Sequence, residues 1–398
     1  MKLSPAYFGK IMKVASYSGQ EMEPPQKRIR SESTVRPATH MSVPEHNATP
    51  RESVLAADGR IYEYESAANP EMAKIPVLAL SAKEHQTGPT RIIPFDLSKE
   101  IKTPYAATSP NLMVGFIRIV GGETIDTQAR ATSQAFYVIS GKGQSSSAEH
   151  GAIPWATGDM VVLPKCPGAV THTADNGTDC VLYWATDEPL LKYLGVTPSE
   201  EIFAPTVIRR EQILSEVERI SHEPGAEHRN RMGILLGNKA TDFAAKGGTG
   251  TLTLTPTLWS LLNVLPPLDA QRPHRHNSVA LDLCVYAKPP EEGGRSGVYT
   301  MMGPEIDETT GQVKNGVRCD WTSGSVFVTP PGWWHSHHNE TDEQAWVLPM
   351  QDAGLYTQMR TLDIQFASAV PSRSAIVESA KGSYEKLTAE ASAEGAEA

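Results

Sequence analysis

The sequence is poor in cysteine, in basic charge and in long apolar segments. It contains four cysteines, Cys166, Cys180, Cys284 and Cys319, and none of them forms a C-x-x-C pair. A chain of 398 residues can bury a core without disulfide staples, so we interpret the cysteines as structural thiols in a reducing compartment. The formal net charge of -10 argues against a nucleic-acid binder. No apolar run approaches the roughly 18 residues of a membrane span.

The two ends of the chain have the composition of tails. Residues 1–50 are polar, with scattered proline and serine, and are predicted to be disordered; residues 373–398 form an acidic, alanine-rich tail. The segment that contains Lys2, Lys10 and Lys13 has no acidic residue before Glu21, which weakly resembles an organelle-targeting segment. The thiols favour a cytoplasmic location, with a mitochondrial one as the alternative.

Two segments of the chain have the same layout. The first contains NLMVGFIRIVGGETI, AFYVISGKG, GDMVVLPKCPGAVTH and CVLYWAT, and the second contains TLTPTLWSLLNVLPP, VALDLCVYA, GSVFVTPPGWWHSHH and AWVLPMQ. Each is a series of short β-branched and aromatic runs bounded by glycine and proline, which predicts strands. Each also leads through a Pro-Gly turn to a histidine. The repeat therefore predicts an all-β protein with two copies of one barrel or sandwich.

The domain boundaries are drawn from this repeat. The first β domain is expected in residues 51–200 and the second in residues 256–372. Residues 201–255 are predicted to be a helical linker, because EEIFAPTVIRREQILSEVERISHE carries apolar residues at helical spacing. The apolar side of this helix comprises Ile213, Leu214, Val217 and Ile220.

The second copy concentrates histidines, with five of the chain's 12 between residues 274 and 338. His274 and His276 stand two residues apart at the start of a predicted strand, so both imidazoles point to one face. His335 follows the Pro-Gly turn in PGWWHSHHN. Three neutral imidazoles converging from two strands predict a site for a divalent metal with open positions. The alternative is that these are hydrogen-bonded surface histidines near strand ends. The presence of five histidines in this short segment disfavours that alternative.

These motifs resemble the two motifs of the cupin superfamily, and the duplication resembles a bicupin. PHRHNSVAL and PPGWWHSHHNE are similar to gentisate 1,2-dioxygenase and its relatives, the ring-cleaving dioxygenases of salicylate and hydroxynaphthoate; DEPLLKYLGV adds to the likeness. The resemblance covers about residues 80–370, although only the short motifs are specific. It implies duplicated jelly-roll barrels and a mononuclear Fe(II) held by His274, His276 and His335.

The sequence departs from the cupin pattern at two places. Many cupins have a glutamate shortly after the second histidine, whereas this chain has Ala280 and Leu281, as expected for a three-histidine dioxygenase. In the gentisate enzymes the amino-terminal barrel usually holds the iron. Here ETIDTQARATSQAFYVISGKG contains no histidine, and His172 stands alone. The first barrel is therefore expected to be degenerate and metal-free.

Other residues near the motifs are candidates for the pocket. His337 shares strand parity with His335, so it is the catalytic candidate, as a proton donor or a group behind the ligands; a hydrogen bond to a neighbouring strand is the equal alternative. His338 has the opposite parity and is expected outside, and Arg275 is expected to point away from the metal. Asp282 has the parity to point inward. One of two tryptophans is a candidate to line the pocket mouth, with simple packing as the alternative, and three cations are candidates for an anionic substrate, with a solvated strand face as the alternative: Trp333, Trp334, Arg318, Lys314 and Arg360.

The functional hypothesis is an Fe(II) dioxygenase that acts with O2 on a small hydroxylated aromatic acid. Mn, Ni, Cu or Zn are the alternative metals. Two other classes stay open: a non-redox isomerase, lyase or hydrolase that uses the ion as a Lewis acid, and a non-enzymatic ligand-binding bicupin. The expected partners are the small-molecule substrate and further copies of the chain in a homo-oligomer, with no nucleic acid and no membrane.

Overall fold

The computed structural model describes three stretches of the chain, residues 59–226, 231–242 and 250–367. The chain divides into two compact units, Met1–Pro70 and Glu71–Ala398. Helix α1 (Tyr64–Ala67) lies in the first unit, and all other described elements lie in the second. The predicted tails, 1–50 and 373–398, lie outside the described residues. Within the described residues, no helix combines the length and the apolar character needed to cross a membrane.

The second unit consists mainly of short strands. Its first part contains β1 (Ala79–Leu80), β2 (Arg91–Pro94), β3 (Met113–Ile119), β4 (Thr124–Thr127), β5 (Gln134–Ser140), β6 (Lys142–Ser147), β7 (Gly151–Ala156), β8 (Met160–Leu163), β9 (Val170–Ala174), β10 (Cys180–Thr186) and β11 (Thr206–Ile208). Its second part contains β12 (Met232–Leu236), β13 (Trp259–Leu265), β14 (Asp269–Ala270), β15 (His274–His276), β16 (Ala280–Tyr286), β17 (Val298–Gly303), β18 (Glu305–Ile306), β19 (Val313–Lys314), β20 (Val317–Asp320), β21 (Val326–Thr329), β22 (Trp334–Asn339), β23 (Ala345–Gln351) and β24 (Ile364–Phe366).

In the described stretches of the second unit, helices are few and short. They are α2 (Lys83–Gln86), α3 (Ser98–Ile101), α4 (Glu188–Leu194), α5 (Arg210–Ser221), α6 (Ala353–Met359) and the 3-10 turn Lys239–Thr241. Helix α5 confirms the helix predicted from apolar spacing, and Ile213 and Ile220 are its buried residues. The boundaries of the predicted domains stay a prediction.

Each half of the unit is a barrel made of two antiparallel sheets. The first barrel combines a sheet ordered β11-β8-β5-β10-β3-β2 with one ordered β4-β9-β6-β7. The second combines β1-β21-β16-β23-β13-β12 with β20-β17-β22-β15-β24, where β14 also pairs with β22. The predicted fold class, a duplicated all-β barrel, is confirmed. One strand crosses between the halves, because β1 precedes the first barrel in sequence but pairs with β21 of the second.

The central strands are apolar on both faces because each separates two cores. Along β16, Leu281 and Leu283 belong to a core shared by the two barrels, whereas Cys284 belongs to the interior of the second barrel. The Tyr183 hydroxyl of the first barrel donates to the Leu281 carbonyl at 3.1 Å within that shared core. A strand buried on both faces reads as a continuous apolar run rather than as an alternation. This explains the unbroken apolar runs in both copies of the repeat.

Candidate metal centre

Strands β15 and β22 bring the three predicted ligands together inside the second barrel. His274 and His335 are register partners on these strands. The ring centroid of His335 lies 3.9 Å from that of His274 and 4.9 Å from that of His276. One ligand nitrogen of each histidine lies within 4.8 Å of the others, and all three residues are buried. The two strands thus place three imidazoles around one point.

The Pro-Gly turn anchors this arrangement. Gly332 has a φ of 75°, in the left-handed region that glycine adopts without a Cβ clash. Its N–H donates to the carbonyl of His276 at 2.7 Å, which ties the turn before β22 to the strand that carries the H-x-H pair. The Pro-Gly step therefore sets where β22 begins, and with it the position of His335.

Hydrogen bonds fix the tautomers of two of the predicted ligands. The Nδ1 of His276 lies 2.8 Å from the carbonyl oxygen of Ser278, and the Nδ1 of His335 lies 3.0 Å from that of Trp333. A carbonyl oxygen only accepts, so in both rings the proton resides on Nδ1 and Nε2 keeps its lone pair. This is the pattern by which metal-binding histidines are oriented in proteins.

Burial keeps the imidazoles neutral. Loss of hydration lowers the pKa of His276 to about 4, and it lowers the pKa of His274 and of His335 well below the ordinary value. The guanidinium of Arg231 acts in the same direction on all three rings. Three neutral rings offer lone pairs without prior loss of a proton to solvent, which is what a divalent ion requires.

Arg231 is a site residue that the sequence analysis missed. It precedes β12, and its Nη2 donates to Nδ1 of His274 while Nη1 donates to Oε1 of Gln271 at 3.1 Å. The Nε of Arg231 is buried without a hydrogen-bond partner among the described residues. Because arginine only donates, the ring proton of neutral His274 lies on Nε2. No motif marks Arg231, because its approach to His274 is set by the pairing of β12 with β13.

The donor set fits a divalent transition metal with one adjustment. His276 and His335 already present Nε2 lone pairs, whereas His274 offers none while Arg231 holds its Nδ1. Metal binding at His274 therefore requires the guanidinium to withdraw. Imidazole nitrogens suit Fe, Zn, Cu and Ni, so the ligand types alone do not select one of these metals.

Two other predicted residues also face the interior of the second barrel. His337 is buried, and its Nδ1 lies 2.8 Å from the Thr300 hydroxyl. Asp282 is buried and accepts a hydrogen bond from the Thr329 hydroxyl at 2.5 Å. Burial raises the pKa of Asp282 to about 7, although the Thr329 bond and the charge of Arg231 oppose the rise. The inward direction predicted for both residues from strand parity agrees with these contacts.

The cations proposed from sequence lie elsewhere. Arg318 donates to Asp320 at 2.6 Å and covers the ring of Tyr299 on the outer face of β17. His338 stacks on that same ring, at 4.7 Å between centroids, so it also lies outside. Lys314 and Arg360 are exposed at the ends of β19 and α6. The structure does not bring these cations to the triad.

The two tryptophans of PGWWHSHHN lie in different environments. Trp333 packs against the apolar interior of the second barrel. Trp334 lies under the guanidinium of Arg275, 5.1 Å from its ring centroid, and Arg275 also donates to Gln365 at 2.8 Å. Arg275 thus points away from the triad, as strand parity predicts. Trp334 packs against Arg275 and therefore also lies away from the triad.

The first barrel carries the same framework without the ligands. Ser145 and His172 are register partners there, as Thr300 and His337 are in the second barrel. The register therefore aligns His172 with His337 rather than with His335, the first histidine after the Pro-Gly turn.

Other side chains stand at the ligand positions of the first barrel. Thr127 and Val170 are register partners in the first barrel, at the positions that His274 and His335 have in the second. The position two residues after Thr127, which matches His276, is Ala129.

The interiors of the two barrels also differ in what fills them. In the first barrel Phe136 and Trp184 are register partners, and their rings stack with an interplanar angle of 2°. The corresponding register pair in the second barrel is Asp282 with Pro349. Two stacked aromatic rings thus occupy the positions that Asp282 and Pro349 have in the second barrel.

Comparisons with known proteins support the fold. No protein-family description and no curated protein matches the sequence. Salicylate 1,2-dioxygenase from Pseudoaminobacter salicylatoxidans, in a complex with gentisate, matches with a TM-score of 0.57 and 14% identity over 83% of this chain and 96% of that chain. Another structure of that dioxygenase matches with a TM-score of 0.56 and 14% identity, over 81% of this chain and 99% of that chain. The resemblance inferred from the motifs is thus confirmed at the level of the fold: the chain shares the duplicated β-barrel fold of these dioxygenases.

Proposed function

We propose that this protein is an Fe(II)-dependent dioxygenase that acts on a small hydroxylated aromatic acid. The observation that carries the proposal is the buried cluster of neutral His274, His276 and His335, two of them oriented through Nδ1 by backbone carbonyls. When bound, the ion would supply Lewis acidity and a redox couple at positions left open by three protein ligands. A ligand set without a carboxylate leaves the full positive charge of the ion available to an anionic substrate.

Arg231 supports an acidic substrate. Its guanidinium has a buried Nε without a partner among the described residues, and it lies close enough to Asp282 and His274 to affect the pKa of both. Once it withdraws from His274, it has N–H groups in the fork geometry that pairs with a carboxylate through two parallel hydrogen bonds. Arg231 thus replaces Arg318 as the candidate that anchors a carboxylate.

An exposed aromatic ring supports a flat substrate. Phe366 of β24 stacks on His274, with ring centroids 5.7 Å apart, yet 40% of its surface is exposed. The guanidinium of Arg272 lies 4.8 Å from the centroid of the same ring. A ring beside a metal ligand and two guanidinium groups provides an apolar face next to cationic donors, which suits the body and the carboxylate of an aromatic acid.

The neighbouring structures give the first substrates to test. The dioxygenase whose fold this chain shares is named for salicylate and has been crystallised with gentisate. Both compounds carry a carboxylate and a hydroxyl on one ring, which matches the chemistry inferred from Arg231 and Phe366. We propose this compound class for the second barrel of the present chain.

The test is oxygen consumption by anaerobically purified protein loaded with Fe(II), using salicylate, gentisate and other hydroxylated aromatic acids. We expect uptake of O2 with at least one acid, loss of uptake in His276→Ala, and no uptake by the Zn(II)-loaded protein. Turnover of the same acid without O2, or equal activity with Zn(II), would show a Lewis-acid reaction instead. A chain that binds none of the divalent metals would refute metal dependence altogether.

A further inference from the structure

A directed chain of hydrogen bonds crosses the interior of the first barrel. The indole Nε1 of Trp155 donates to the Ser145 hydroxyl at 2.9 Å, and that hydroxyl lies 2.8 Å from Nδ1 of His172. On the other side of the ring, Nε2 of His172 lies 2.9 Å from the Thr127 hydroxyl, which donates to the Val170 carbonyl at 3.5 Å. All of these residues are buried, so the chain is closed to solvent.

The ends of this chain fix the direction of every proton in it. An indole N–H only donates and a carbonyl only accepts, so Thr127 gives its proton to Val170 and must accept from His172. Burial lowers the pKa of His172 to about 3, so the ring is neutral and has a single proton, on Nε2. Its Nδ1 then accepts from Ser145, whose oxygen accepts from Trp155. This is the one arrangement in which each proton of the chain has an acceptor.

The second barrel repeats the first half of this chain. The indole Nε1 of Trp321 donates to the Thr300 hydroxyl at 2.8 Å, and that hydroxyl lies 2.8 Å from Nδ1 of His337. Thr300 and His337 hold the same register as Ser145 and His172. Among the described residues the Thr300 hydroxyl has no other acceptor for its proton, so donation to Nδ1 of His337 is the arrangement that pairs this proton, and it leaves the ring proton on Nε2.

The two hydrogen-bond chains differ in the residue that lies next to Nε2 of the histidine. In the first barrel Thr127 accepts the bond from Nε2, whereas the matching position in the second barrel belongs to the ligand His274. Among the described residues, no hydrogen bond to Nε2 of His337 is present. The ring lies 5.9 Å from that of His335, centroid to centroid, on the same face of β22. An N–H group that has no acceptor in the described part of the chain thus remains beside the triad.

We infer that Thr300 and Trp321 are positioning residues that hold His337 as the Nε2–H tautomer, so that this N–H donates to an oxygen atom of a ligand bound beside the triad. A hydroxyl or carboxylate oxygen has the required acceptor chemistry. The identity of that ligand rests on the proposed function; the tautomer does not. His337 acts in this role as a neutral hydrogen-bond donor.

The tautomer can be read directly from the full-length chain. Histidine labelled with 15N gives long-range 1H–15N correlations that distinguish a protonated Nε2 from a protonated Nδ1, and the variant His337→Gln assigns the signals. We expect His337 to be protonated on Nε2 in the wild type and in Thr300→Ser, which installs the residue that the first barrel uses. Thr300→Val should give a mixture of tautomers, and Trp321→Phe tests the same chain if Thr300→Val does not fold. The signals of His172 are the internal control for folding.

A binding measurement tests the role of the N–H group. With Zn(II)-loaded protein and salicylate as the probe, we expect the Kd to rise about tenfold in Thr300→Val, the cost of one misdirected hydrogen bond, and to stay within about twofold of wild type in Thr300→Ser. Protonation of His337 on Nδ1 in the wild type, or an unchanged tautomer in both Thr300→Val and Trp321→Phe, would overturn the inference. Equal salicylate affinity in all variants would overturn the role assigned to the N–H. Because the tautomer is also measured in metal-free protein, failure to bind a metal refutes the proposed function and leaves the tautomer decided.

Discussion

His274 and His335 lie opposite each other on β15 and β22, with ring centroids 3.9 Å apart. Burial lowers the pKa of both rings well below the ordinary value, so they do not repel each other as cations at neutral pH. Among the described residues no hydrogen bond uses the Nε2 lone pair of His335, and a metal ion is a partner that suits such a lone pair.

Replacement of a single ligand should empty the site. We expect His274→Ala, His276→Ala or His335→Ala to remove most of the bound metal, because two imidazoles do not complete a facial site. Metal content after dialysis is the measurement. The matched control is His338→Ala, which removes an imidazole from the outer face of β22. Full occupancy in all three ligand variants would contradict the assignment.

Metal stoichiometry should be about one ion per chain, because the matching positions of the first barrel are Thr127, Ala129 and Val170. His172 is bonded on both ring nitrogens and has none free to coordinate an ion. We therefore expect His172→Gln to leave the metal content unchanged. Two tightly bound ions per wild-type chain, with one lost in His172→Gln, would place a second site in the first barrel.

Removal of Arg231 should strengthen metal binding. The guanidinium holds Nδ1 of His274 and adds a positive charge beside the cluster, so it opposes a cation both through the tautomer and through charge. We expect Arg231→Met to bind Zn(II) about tenfold more tightly by titration calorimetry and to bind salicylate more weakly. Arg275→Met is the control, since Arg275 bonds Gln365 outside the site. Weaker Zn(II) binding in Arg231→Met would mean that Arg231 supports the site rather than competing for it.

Acidification should destabilise the metal-free protein partly through His172. Burial lowers its pKa from 6.5 to about 3, so the unfolded chain takes up the proton first. The stability that neutral His172 contributes is complete above pH 6.5 and is lost as the pH falls towards 3. The pKa of Asp282 is raised to about 7, so this residue makes the folded protein more stable as the pH falls. Its contribution is the same in wild type and in a His172 variant, and it cancels when the two are compared.

The measurement is the midpoint of thermal unfolding between pH 7 and pH 4 in wild type and His172→Gln. We expect a shallower decrease in the variant, because glutamine does not titrate. Parallel curves for the two proteins would show that His172 is not the residue responsible.

The sequence by itself determined the candidate ligand set and the repeated architecture. Because side chains at i and i+2 share a face of any strand, the H-x-H motif alone placed His274 and His276 together. The same parity separated His337 from His338, and Arg275 from the ligands on either side of it. These statements depend only on the period of a β-strand, which holds whatever the strand pairs with.

Only the tertiary structure decided which residues meet across strands. Arg231 lies just before β12 and bonds His274, which is 43 residues further along the chain, and no local sequence period links residues that far apart. Arg318 lies two residues before Asp320 and opposite Met301, on the outer side of its sheet, although its charge alone suggested the pocket. His172 matches His337 because of its pairing with Ser145, and not because of its distance from a Pro-Gly turn. Parity fixes the face of a strand, whereas register and strand order follow from burial summed over the whole barrel, and these decide which side chains share its interior.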